Sequence, residues 1–132
     1  MKSIFFVSLS LVSASAFSAT AAKIVAKDED NKIVFIALDS KGTPRLDGEA
    51  KSYPSIKDFR EDSAYFEACY DGSLKETKKL LKALVYAADG DGDSWAELES
   101  MKSNTAGEVE VIAKITDESG ENEEAYTFKP CN

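Results

Sequence analysis

Histidine is absent from this chain of 132 residues. That absence removes the commonest general base, the usual nucleophile–imidazole triads and most zinc sites. Catalysis is left with carboxylates, of which there are 24. Acids this frequent single out no pair, and no spacing sets two of them in a pocket. A small carboxylate-dependent hydrolase is the enzymatic reading that survives, and it ranks behind the non-enzymatic ones. Positive charge is also scarce: 16 Lys and Arg leave a net charge of −8. So acidic a chain does not seek nucleic acid or an anionic membrane surface. A basic protein, a cationic surface component or a metal ion fits better. No Gly-rich phosphate loop follows any strand-like segment, and no tandem repeat is present.

Long apolar runs are missing after residue 22, where nothing approaches the roughly 20 residues of a membrane span. The run at the start is of another kind. Lys2 supplies a short positive region, Ile4 to Val12 a hydrophobic segment, and Ala14-Ser15-Ala16 a small-x-small cleavage site. That is the layout of a secretory signal peptide over residues 1–16, with a later cut near Ala22 as the alternative. Cleavage after Ala16 leaves 132 − 16 = 116 residues, Phe17 to Asn132, which suits one domain. The cut removes one Lys and no acid, so the net charge moves from −8 to −9.

Cysteine is limited to Cys69 and Cys131. In the oxidising space of a secreted or periplasmic protein, an even pair without CxxC spacing reads as one structural disulfide. It would close a loop of 131 − 69 + 1 = 63 residues. Chain entropy alone would make that link worth roughly 4 kcal/mol.

The elements that are present point to an α+β domain. Lys23–Lys27 and Lys32–Asp39 are rich in β-branched residues and flank an Asp28-Glu29-Asp30-Asn31 turn, which predicts a hairpin. Ile33, Phe35 and Ala37 alternate with Val34, Ile36 and Leu38, so both faces of the second strand are apolar. That suggests a strand covered on both sides. Ser40–Pro54 reads as loop, with Arg45–Ala50 either a short edge strand or part of a working surface. Ser55–Phe59 adds a helical turn. Ser63–Tyr70 reads as a first helix and Ser73 onward as a second, opened by a Ser73/Glu76 capping box. The apolar stripe of the second helix is Leu74, Leu81, Leu84, Val85 and Ala88, with Leu80 at its edge. Trp95–Met101 alternates imperfectly. Glu108–Thr116 is the cleanest strand, with Val109, Val111, Ala113 and Ile115 inward. After an Asp117–Asn122 turn, Glu124–Lys129 returns with Tyr126 and Phe128 inward. The expected order is β-β-α-α-β-β-β, a mostly antiparallel sheet with a helical hairpin on one face.

Two local resemblances fall in the centre. Glu67–Ala83, with Ala68, the Asp71-Gly72 turn, Leu74 and Leu80-Leu81, resembles the helix-turn-helix part of an ankyrin repeat. The Thr-Pro-Leu-His opening is missing and strand-like sequence flanks the segment. One repeat cannot bury its own faces, so no binding function follows from it. Asp89-Gly90-Asp91-Gly92-Asp93 resembles the first half of an EF-hand loop. Asp89, Asp91 and Asp93 match its first three side-chain ligands, and Trp95 its backbone carbonyl. Ser94 stands where the family has Gly, and Ser100 where it has a bidentate Glu. The resemblance implies a weak calcium site at most; a solvated acidic turn is the alternative.

Trp95, Tyr53 and Tyr86 are the aromatic candidates for a protein-binding face. Trp95 beside the acidic loop suits a Lys or Arg from a basic partner; the alternative is a core residue at the helix–sheet junction. The leading functional reading is a small, secreted or periplasmic, non-enzymatic domain that binds a protein or surface component. A calcium-dependent structural or adhesion module comes second. The calcium reading predicts selective, saturable shifts of the Gly90 and Gly92 amide resonances with calcium and not with magnesium.

Overall fold

The computed structural model describes residues 21–27, 30–47, 54–57, 68–87 and 95–132. Among the described residues, the elements that build the fold are β1 Lys23–Lys27, β2 Ile33–Leu38, β3 Pro44–Leu46, β4 Cys69–Asp71, α1 Leu74–Tyr86, β5 Trp95–Ser103, β6 Val109–Asp117 and β7 Gly120–Pro130. The strands form one sheet in the order β3-β2-β1-β4-β7-β6-β5. Two antiparallel halves, β3-β2-β1 and β7-β6-β5, meet at β4. That strand runs antiparallel to β1 and parallel to β7. The sheet is therefore mixed.

The expected helical hairpin is not formed. Cys69–Asp71, placed by the sequence reading in a helix and its turn, is the strand that joins the two halves. The backbone of Cys69 lies opposite both Val25 and Lys129, and that of Tyr70 opposite both Ile24 and Pro130. A strand of three residues is too short to display a period of two, so its aromatic content reads equally well as helix. The ankyrin-like order is corrected with it, to strand–turn–helix. Of the first expected helix, residues 63–67 lie outside the described residues.

β5 runs parallel to β4, because both β7 and β5 oppose β6. Parallel strands need a crossover, and α1 supplies it across one face of the sheet. Ser73 caps the helix: its hydroxyl accepts from the Glu76 N–H at 3.2 Å. Thr77 donates its hydroxyl to the Ser73 carbonyl at 2.7 Å and is itself buried. The buried stripe is Thr77, Leu80, Leu81, Leu84 and Val85, at the i, i+3, i+4, i+7, i+8 spacing of a docked helix. It is rotated from the expected stripe: Leu80 moves to the centre and Leu74 to the exposed rim.

The sheet face beneath α1 carries the core. Ile24, Ile36, Val109, Val111, Ala113 and Ile115 are fully buried there, joined by Tyr70, Tyr126 and Phe128. β6 follows its expected alternation residue by residue. β7 starts earlier than expected, at Gly120, so the predicted polar turn shrinks to Glu118–Ser119. The expectation that β2 is covered on both faces is corrected as well: Ile33 is 63 % and Phe35 41 % exposed on the side away from the helix. β2 sits one strand from the sheet edge, and its edge neighbour is the short β3. β3 falls within the segment that offered an edge strand, one residue earlier than expected.

The junction at β4 is fastened several times. Cys69 and Cys131 form the expected disulfide, with their Cα atoms 5.1 Å apart. The Cys131 N–H donates to the Tyr70 carbonyl at 2.7 Å, and the buried Tyr70 hydroxyl donates to the Gly107 carbonyl. A Cβ on Gly107 would come within 3.0 Å of that hydroxyl and 3.2 Å of Pro130 Cγ, and its φ of +83° suits glycine for a second reason. Replacing both cysteines by serine is expected to lower the unfolding free energy by roughly 2–5 kcal/mol. Hydrogen exchange should show Tyr70 and Cys131 losing protection before the β5–β6 ladder does.

Candidate functional site

Along β5 the alternation of sides is broken once. Trp95, Ala96, Glu97 and Leu98 pair with Thr116, Ile115, Lys114 and Ala113, after which the register shifts and Ser100 pairs with Ile112. Glu99 is the extra residue of a β-bulge. The bulge explains the imperfect pattern in the sequence: Leu98 and Met101 both turn to the core side, opposite Ala113 and Val111. Unbroken alternation would put Met101 on the face of Trp95 and Glu97; the bulge moves it to the other side.

The same register assembles the face turned away from α1. Through β6, Trp95 lines up with Thr116 and Glu121, Glu97 with Lys114 and Glu123, and Lys102 with Glu110 and Thr127. Directly opposed side chains on neighbouring strands stand roughly 5 Å apart. Trp95, 60 % exposed, therefore stands at one end of a face that brings Glu97, Glu121 and Glu123 around Lys114. No sequence spacing shows this grouping, because it is made by two hairpins.

Tyr86, the last residue of α1, is also exposed, and its hydroxyl accepts from the Leu98 N–H at 3.3 Å. β5 is an outer strand, so this bond occupies one of its outward donors and blunts the edge. Tyr86 and Trp95 are thus both at the β5 end of the sheet, one serving its edge and the other its open face. Trp95 also borders a shallow cleft with Ser55, Ile56, Val85, Ala87 and Ile115. The cleft is small and open to solvent. Asp89, Asp91, Asp93 and Tyr53 lie outside the described residues. Among the described residues, no three His, Cys, Asp or Glu side chains converge as a metal site, and no helix is long and apolar enough to cross a membrane.

Comparison with protein-family models, curated proteins and solved structures finds no match.

One polar cluster passed unnoticed in the sequence. Asp39 Oδ1 accepts from the backbone N–H groups of Lys41 at 2.8 Å and Thr43 at 3.0 Å, while Oδ2 accepts from Arg45 Nε at 2.8 Å. Asn104 repeats the arrangement at the β5–β6 turn, where its Oδ1 accepts from Ala106 and Glu108, both at 3.0 Å. In each turn a glycine three residues on, Gly42 at φ +81° or Gly107 at φ +83°, takes the left-handed position. The signal in the sequence is the shared spacing of Asp39-Ser40-Lys41-Gly42 and Asn104-Thr105-Ala106-Gly107. The cluster builds a turn rather than a reaction centre, since the Lys41, Thr43 and Arg45 bonds hold the carboxylate in place.

The Arg45 hydrogen bond, with help from the Thr43 and Lys41 N–H groups and against a small desolvation penalty, lowers the Asp39 pKa from 3.8 to about 2. A carboxyl depressed on folding contributes stability above its unfolded value and loses it as pH falls through the folded one. Asp39→Asn should therefore melt below the parent protein at neutral pH. The difference between the two should shrink from about pH 4 down to about pH 2. Melting curves at stepped pH measure this, and a gap that stays constant across that window contradicts the assignment.

Proposed function

We propose that this chain is a small exported, non-enzymatic domain that binds a basic protein or a basic surface component through the open face of β5–β6–β7. One observation carries the reading: Trp95, the single tryptophan, is 60 % exposed and shares its sheet face with Glu97, Glu121 and Glu123. A large aromatic left in water beside carboxylates offers a cation both a π face and compensating charge. Aromatic anchors carry much of the energy of protein interfaces. Export is supported by the N-terminal sequence pattern and by a disulfide that suits an oxidising compartment. The missing histidine and the chain's acidity favour binding over catalysis.

The single tryptophan makes the test direct. Lysine-rich peptide titrated into the protein should shift Trp95 emission saturably, while a glutamate-rich peptide should not. Added salt should weaken the response because exposed charges are screened. Glu97→Gln and Glu121→Gln should each weaken binding roughly two- to fivefold. Equal affinity in both variants, or no saturable response in the parent protein, overturns the proposal.

A further inference from the structure

The outer edge of β5 has a symmetry that its bulge creates. The Leu98 N–H points away from β6, since it donates to the Tyr86 hydroxyl. Backbone groups of a strand turn to alternate sides, so every second residue faces outward. Along the unbroken series of β6, Ile115, Ala113, Val111 and Val109 pair with Ala96, Leu98, Met101 and Ser103. These β5 residues are therefore the ones that direct their N–H and C=O groups off the sheet. They are spaced two, three and two residues apart. The longer step is the bulge, and the series reads the same from either end.

An unbroken strand laid along this edge would match one half and miss the other, because its own outward groups recur every second residue. A second copy of β5, laid antiparallel, matches throughout. Ala96 then stands opposite Ser103 of the second copy and Leu98 opposite its Met101, and two-fold symmetry makes each pair twice. The side chains agree with the backbone. Leu98 and Met101 both pack against the core, so their meeting continues the apolar layer across the join. On the open face, the exposed Glu97 comes opposite the exposed Lys102 of the second copy, an opposite-charge pair. The other outer strand, β3, has three residues and begins with Pro44, features that blunt an edge. Pairing through β5 therefore closes at two chains.

We propose that two copies of this chain join edge to edge through antiparallel β5 strands, with Tyr86 as the latch that must release. Its side chain is 55 % exposed, and its hydroxyl holds the Leu98 N–H by a long bond of 3.3 Å. In the paired state that N–H donates to the Met101 carbonyl of the second copy instead, and the tyrosine turns into solvent. The join uses the strand edge rather than the Trp95 face and stands without the binding reading.

Sedimentation equilibrium of the disulfide-bonded protein over a range of concentrations should show monomer and dimer in exchange. Lys102→Glu and Glu97→Lys each set like charges opposite one another twice, and each alone should weaken the dimer about tenfold. Mixed in equal amounts, the two variants regain both Glu–Lys pairs and should associate as tightly as the parent. Tyr86→Phe removes the competing acceptor and should tighten the dimer about fivefold; an unchanged affinity overturns the latch. Hydrogen exchange should show the Met101 and Ser103 amides protected in the dimer. A parent protein that stays monomeric at its highest soluble concentration overturns the proposal. So does a mixture no tighter than its components, or a dimer in which those two amides exchange as in the monomer.

Discussion

Two antiparallel half-sheets share a single seam, and most of the molecule depends on its being closed. β4 contributes three residues to it and pairs with β7 at only two positions. So short a parallel contact is weak by itself. The covalent link from Cys69 to Cys131, the Cys131 N–H on the Tyr70 carbonyl and the Tyr70 hydroxyl on Gly107 make up the deficit. α1 closes the seam from above, because it packs on strands of both halves. Its core stripe therefore has a complete floor only when the halves are joined.

The two sides of the sheet are under different constraints. Beneath α1, Val109, Val111, Ala113 and Ile115 of β6 are all buried, so any slip of one residue would move that apolar set into water. On the open side the rows mix Trp95, carboxylates and lysines, and β2 adds the exposed Ile33 and Phe35. Lys23 covers part of the latter, its Nζ 4.3 Å from the centre of the Phe35 ring, a cation–π contact that shields apolar surface without burying it. The face free to meet a partner is thus the one that core packing leaves free to vary.

Local patterns foretold the local elements. β6 was legible because Val109, Val111, Ala113 and Ile115 alternate without interruption, and the α1 start because Ser73 and Glu76 carry a capping box. The disulfide was legible because only two cysteines exist. What stayed hidden depends on distant partners. Cys69–Asp71 becomes a strand only because β1 and β7 offer it backbone bonds from both sides. The bulge at Glu99 shows in the sequence only as a fault in the β5 alternation. The grouping of Trp95 with Glu97, Glu121 and Glu123 requires the registers of two hairpins, and a sequence read alone does not contain them.

The parallel β4–β7 pair also sets an order of events. Each half-sheet is built from hairpins between neighbouring segments and can form as its own stretch of chain appears. The seam cannot, because β4 must wait for β7 and Cys69 for Cys131, some 62 positions later. A chain threaded through a membrane from its N-terminus would therefore hold Cys69 as a free thiol, and α1 over an incomplete floor, for most of the passage. The oxidising step comes last, and it converts two adjacent hairpin assemblies into one cooperative sheet.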